Sequence, residues 1–275
     1  MKEKQTGKID SFTNWRINIR ESLPNNLKIR SFVWIQVNYS IDRNANKCNI
    51  HSVIFEEKAE SNINTSQKLI KQIQYKLNLV NIPSYCLNLT TIPSYQIAEI
   101  LNLKLLYNPK YINYDSYWNY RLDTKPQNCL TCDIDSFEIG KEFFILIEAA
   151  QLFNTNKNTQ LEDVVRHIFR TFARRKNKVN PFQYIAQNAV AQRLNSKSFI
   201  MFHKINNNIF DKESPALLLN NNNFFHQILF DIACNYNTDS SDENKFIEKY
   251  KLFFKENLIQ YNNAYELYLS LGIIY

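Results

Sequence analysis

The sequence predicts an α+β protein, with a mixed N-terminal α/β region followed by a largely helical C-terminal region. Three observations carry that expectation. Apolar residues alternate in "SFVWIQVNYSID", where Val33, Ile35, Val37, Tyr39 and Ile41 share one face of an extended strand. Two later stretches change to helical spacing, with Val164, Val165, Ile168, Phe169 and Phe172 in one and Phe182, Ile185, Ala189, Val190 and Leu194 in the other. The 275 residues, 44% hydrophobic, suffice for one large domain or two to three small ones.

Taken in order, residues 11–23 read as a short helix that Ser11 caps and Pro24 stops. The alternating strand follows, "RNANK" turns, and "CNIHSVIFEEK" returns as the second strand of a hairpin. With the turn centred near Ala45, cross-strand partners sum to about ninety. Glu56 then faces Trp34 and Asp42 faces Cys48, unless the loop is longer or bulged. A helix capped by Thr65 or Ser66 carries Leu69, Ile70, Ile73, Leu77 and Val80 on one face and ends at Pro83. A strand through Tyr85, Leu87 and Leu89 and a helix over about 94–107 complete an α/β unit. The polar, aromatic stretch Pro109 to Pro126 is the expected boundary, giving a first domain of residues 1–125.

Beyond it, "FEIGKEFFILIEAAQLF" (137–153) is apolar without a clear period. Thr159 and Glu162 form a capping box for the first of two helices, and Pro181 opens the second. "SFIMFHKINNNIF" then reads as strand, asparagine turn, strand. Helix, turn, helix and two-stranded ribbon is the order of a winged helix, so such a domain is expected over 126–212. Apolar-striped helices near Phe224, Glu243 and Ala264 make a last module, 213–275.

Composition narrows the function. Only Gly7, Gly140 and Gly272 occur, which excludes glycine-rich phosphate loops. Five cysteines without a regular framework fit a reducing compartment. No apolar run approaches the roughly 20 residues of a membrane span, and "MKEKQTGKID" is too polar for a signal sequence. An intracellular protein with no membrane partner is expected. The net charge of +7 is concentrated: from Asn154 to Lys212 eleven Lys/Arg stand against three Asp/Glu, an excess of +8 that leaves −1 elsewhere. Such localisation is the footprint of a polyanion-binding surface, and DNA is the expected partner. Arg166, Arg170 and Arg174 recur along one helix face, and Arg175, Lys176 and Lys178 follow. Arg193, Lys197 and Lys204 fall on the second helix and the ribbon. These nine are the candidate nucleic-acid contacts, although an ordinary solvated helix face carries the same spacing. Cys48 with His51, and Cys129 with Cys132, are zinc-ligand types. Residues three apart on a strand point to opposite faces, which argues against a shared zinc ion.

The octet "IFEEKAES" (54–61) ends a hydrophobic strand in an acid, one intervening residue and a lysine, ahead of an amphipathic helix and another strand. In that order it resembles the PD-(D/E)xK nucleases. The layout from "IRSFVWIQVNYSID" through "LLYNPKY", with "RLNSKSFIMFHKINNNIF" behind it, is similar to the endonuclease subunit of heteromeric transposases (TnsA-like). The resemblance implies a restriction-endonuclease-like core ahead of a winged helix, and a metal-dependent DNA endonuclease, or a degenerate form of one, in transposition or recombination. Its catalytic trio would be Asp42, Glu56 and Lys58. Asp42 and Glu56 would hold the Mg2+ that polarises the phosphate and activates water, and Lys58 would stabilise the developing charge. The competing class is a non-enzymatic winged-helix subunit of a replication- or telomere-type nucleoprotein complex. There "YINYDSYWNY" and the apolar tail helices would dock onto protein partners.

Overall fold

The computed structural model describes residues 33–42, 47–57, 63–86, 130–139, 144–152, 161–173, 183–206, 209–210 and 215–273. These residues form six helices and two mixed sheets, so the α+β class holds. The chain divides into two units, 1–137 and 138–275. The helices expected over 11–23 and about 94–107, and the boundary at 109–126, lie outside the described residues.

In the first unit, β1 (Val33–Asp42) and β2 (Lys47–Glu57) form the antiparallel hairpin that the alternation predicts. Val37 and Tyr39 of β1, with Val53, Ile54 and Phe55 of β2, are fully buried. Asn38 of β1 is buried as well, and its amide donates to Ser52 Oγ across the pair at 2.8 Å. α1 (Ile63–Leu79) packs Ile70, Ile73 and Leu77 inward. It ends where Asn81 takes φ 57°, with Ile82 N–H donating back to Leu77 O and Asn81 N–H to Asn78 O. That is a Schellman termination with asparagine in the left-handed position glycine usually fills. β3 (Ser84–Cys86) then pairs parallel to β2, and β4 (Leu130–Ile134) pairs antiparallel to β1, giving the order β3-β2-β1-β4.

The larger sheet holds β5 (Ser136–Ile139), β6 (Phe144–Leu152), β7 (Lys197–Asn206), β9 (Ala216–Asn220) and β10 (Leu258–Tyr261) in the order β10-β9-β7-β6-β5. β6 and β7 are parallel neighbours, and parallel neighbours need a crossover. α2 (Leu161–Ala173) and α3 (Gln183–Arg193) make it. The expected wing is present only at its tip, where β8 (Ile209–Phe210) pairs with Ile205 and Asn206. The body of β7 is a central strand between β6 and β9, which is where a continuous apolar run such as "SFIMF" belongs. The division expected at 212/213 is also corrected, because β9 pairs with β7 and so joins residues beyond 213 to the same sheet.

α4 (Asn223–Asn235), α5 (Ser240–Asn257) and α6 (Ala264–Ser270) follow, near the three expected positions. Asparagine and aspartate side chains cap all three, from Asn222, Asp239 and Asn263. α3 ends on Asn195 at φ 52°, as α1 does on Asn81. In a chain with three glycines, asparagine takes over much of the helix punctuation. The core joins α2, α4 and α5 through Phe169, Tyr236 and Phe246, with ring centroids 5.2 to 5.9 Å apart. At the β9–α4 corner the buried Asn221 amide donates to Tyr184 O and Ser198 Oγ at 2.7 and 2.9 Å. Its Oδ1 is thereby left to accept from His226 Nε2 at 2.9 Å, which fixes that imidazole's tautomer.

Candidate nucleic-acid interface

α2 is amphipathic in the way its sequence predicts, with Val164, Val165, Ile168, Phe169 and Phe172 buried. Its arginine face has a partner that the local pattern does not show. Arg166 Nη1 donates to Glu243 Oε1 at 2.8 Å. Arg170 Nε and Nη2 donate to the two oxygens of the same carboxylate at 2.7 and 2.9 Å, a bidentate fork. Glu162 adds a looser interaction with Arg166 at 3.8 Å. The two Arg170 hydrogen bonds, with the one from Arg166, hold the Glu243 carboxyl below the usual carboxylate range against the opposing effect of burial. Arg166 and Arg170, expected among the nucleic-acid contacts, are thus ion-paired with Glu243 and keep 36% and 50% of their side-chain surface. They clamp α2 to α5, and one acid is shared between two cations. The signal for this was Glu243 itself, three and four residues before Phe246 and Ile247 on the buried side of α5.

Arg193 closes α3 and is exposed, as is Lys197 at the start of β7. Lys204 pairs with Leu152 in the parallel ladder. Arg174, Arg175, Lys176 and Lys178 lie outside the described residues, directly after α2. Setting aside Arg166, Arg170 and Glu162, nine Lys/Arg and two Asp/Glu remain in residues 154–212. The clamp thus consumes little of the local excess.

The hairpin register decides the proposed catalytic trio. Glu56 faces Trp34, as the arithmetic predicts. Asp42 faces Lys47 rather than Cys48, because a bulge between Asn38 and Tyr39 shifts the far end by one residue. Asp42 thus lies eight residues along β1 from the position opposite Glu56, roughly 26 Å at about 3.3 Å per residue. Two ligands of one Mg2+ lie within about 4.2 Å of each other. Asp42 and Glu56 do not share a metal in this register, and Trp34 and Val33 occupy the positions facing Glu56 and Glu57. Lys58 lies outside the described residues. Among those residues no group of three or more His, Cys, Asp or Glu is placed to hold a metal ion. Cys48 sits on β2 and Cys132 on β4, with β1 between them. Burial pushes the Cys48 thiol up to about 12. Cys129 is outside the described residues.

A feature without a counterpart in the local sequence pattern lies between α4 and α5, where an open groove of about 540 Å³ is lined by Phe224, Lys249, Phe253 and Asn257 among others. Phe224 is 51% exposed, and its ring lies 4.9 Å from that of Phe253. One wall is fixed by Asp231, which accepts from Tyr250 Oη at 2.6 Å and Lys249 Nζ at 2.9 Å. Burial alone would raise the Asp231 carboxyl, but these bonds and one from Asn235 hold it low. No protein-family model, curated protein or solved structure matches the chain.

Proposed function

We propose that the protein binds nucleic acid, DNA first, as a non-catalytic subunit of a larger nucleoprotein assembly. The observation that carries this reading is the uneven charge, with nine Lys/Arg against two Asp/Glu in residues 154–212 after the α2–α5 clamp is set aside. Each cation that neutralises a phosphate releases a counterion, so such a segment gives affinity that falls steeply with salt. The helix–helix–strand–strand order α2, α3, β7, β8 is one that a winged helix shares, and it favours a nucleic-acid-binding role for residues 161–210. The hairpin, α1 and a strand parallel to β2 support a nuclease-like platform in the first unit without its metal site. Exposed Leu252, Ile259, Tyr265 and Leu269 favour protein partners around it.

The test is duplex binding by filter retention across salt. The parent protein should show a steep slope of log affinity against log salt. Alanine at Arg174, Arg175, Lys176 and Lys178 should reduce it by about 0.9 for each phosphate no longer neutralised. Alanine at Arg166 and Arg170 should lower stability and leave the slope nearly unchanged. Absent or salt-independent binding by the parent would dismiss the reading. Incubation with Mg2+ or Mn2+ should show no cleavage that Glu56→Ala removes.

A further inference from the structure

We infer that the protein associates with itself head to tail, α1 of one copy packing against α6 of the next. The inference names a second copy among the protein partners proposed above, and it needs no nucleic acid. Both helices carry the same outward pattern, "YKLNL" (Tyr75–Leu79) in α1 and "YELYL" (Tyr265–Leu269) in α6. In each, the central leucine, Leu77 or Leu267, is fully buried, while the tyrosine and the last leucine stand outward one turn apart. Tyr75 and Leu79 are 66% and 65% exposed, and Tyr265 and Leu269 are 49% exposed each. Single exposed leucines are ordinary on any surface. Two Tyr–Leu pairs of equal spacing, set beside charges of opposite sign, form a complementary set.

Charge selects the pairing. From Ser61 to Ala98 the chain carries three Lys and no Asp or Glu, whereas from Glu256 to Tyr275 it carries two Glu and no Lys or Arg. Lys71 and Lys76 are exposed beside the α1 pair. Glu266 follows Tyr265, and the Asn262 backbone N–H and Nδ2 donate to its two oxygens at 3.0 and 3.1 Å. A carboxylate oxygen accepts more than one hydrogen bond, so Glu266 can also accept from an ammonium. α1 against α1 would set lysine against lysine, and α6 against α6 would set glutamate against glutamate. α1 against α6 joins opposite charges together with the apolar pairs. Size then sets the strength. Four side chains at half to two-thirds exposure offer on the order of 400 Å², well under the roughly 1,000 Å² of a stable interface. The contact is therefore weak, and the protein is monomeric when dilute. Because the two patches differ, each contact leaves one α1 and one α6 unused at the ends, and assembly extends as a chain or closes as a ring.

The experiment is sedimentation velocity of the full chain without nucleic acid, from micromolar to near-millimolar protein at low salt. The parent's sedimentation coefficient should rise with concentration and fall back as salt is added. Leu79→Ala and Leu269→Ala should each weaken the association about fivefold. The double variant Tyr75→Ala with Leu79→Ala keeps α6 intact, and Tyr265→Ala with Leu269→Ala keeps α1 intact. Each alone should stay monomeric, whereas an equimolar mixture should form dimers and nothing larger. A parent that stays monomeric throughout would overturn the inference and leave the proposed nucleic-acid binding standing. A mixture that stays monomeric would overturn it too, as would either double variant associating like the parent. All four side chains are exposed, so thermal melts matching the parent exclude misfolding as the cause.

Discussion

Glu243→Ala should destabilise the second unit by about 2 kcal/mol, an intermediate value between buried and exposed ion pairs. The carboxylate makes three charge-assisted hydrogen bonds at 2.7 to 2.9 Å, and its side chain is 9% exposed. Removing one member of a fully buried ion pair costs about 3–5 kcal/mol, because the partner charge is stranded without water. An exposed pair is worth only about 0.2–1 kcal/mol. Here the acid is buried but Arg166 and Arg170 keep 36% and 50% of their side-chain surface, so water can reclaim them and the cost falls between those limits. Urea denaturation at pH 7 should show a lower midpoint with an unchanged slope. A double-mutant cycle of Glu243→Ala with Arg170→Ala should return about 1 kcal/mol or more of coupling. The pH dependence has a definite sign. The Glu243 pKa in the folded state is depressed below 4.5, so the contribution is present above that value and lost as pH falls through the folded pKa. A loss under about 0.5 kcal/mol, or no coupling, would refute the clamp.

Three further outcomes are expected. Burial lowers the His226 pKa from 6.5 to about 4. Stability should therefore be full above pH 6.5 and decline by about 3 kcal/mol as pH falls toward 4, and in Glu243→Ala the same decline should persist; a flat urea midpoint across that window contradicts the assignment. In native protein at pH 8, brief iodoacetamide treatment read by mass spectrometry should label exposed Cys234 and spare buried Cys132 and the Cys48 thiol, raised to about 12; equal labelling would show that Cys48 is not shielded. Asn195→Gly should be neutral or stabilising by several tenths of a kcal/mol, whereas Asn195→Val should cost about 1–2 kcal/mol in a thermal melt, since φ is 52° there.

Local periodicity made much of this fold legible. The β1–β2 hairpin followed from two-residue alternation, and the Glu56–Trp34 pairing followed from the turn. The bulge at Asn38 and Tyr39 did not, because an extra residue leaves no mark in the apolar pattern. The five buried residues expected on α2 are all buried. α3 was harder, since Gln187 and Asn188 are buried with its apolar residues and nearly the whole helix is enclosed. "SFIMF" looked like half of a ribbon because the pairing that makes it central, with β6, joins residues about fifty positions apart. Arg166 and Arg170 do share a face, but a face is defined by what packs on it. Glu243 lies 73 residues from Arg170, beyond any local window.

The parallel pairing of β6 with β7 also gives the charged stretch an architectural role. Eight residue pairs hold these two strands side by side, from Ile145 with Lys197 to Leu152 with Lys204. Their covalent link passes in sequence through α2, the cationic residues 174–178 and α3. A protease cut between Ala173 and Gln183 would divide the polypeptide into two pieces that remain knitted through this ladder. A polyanion bound to Arg174, Arg175, Lys176 and Lys178 would grip the link that joins two neighbouring strands of one sheet.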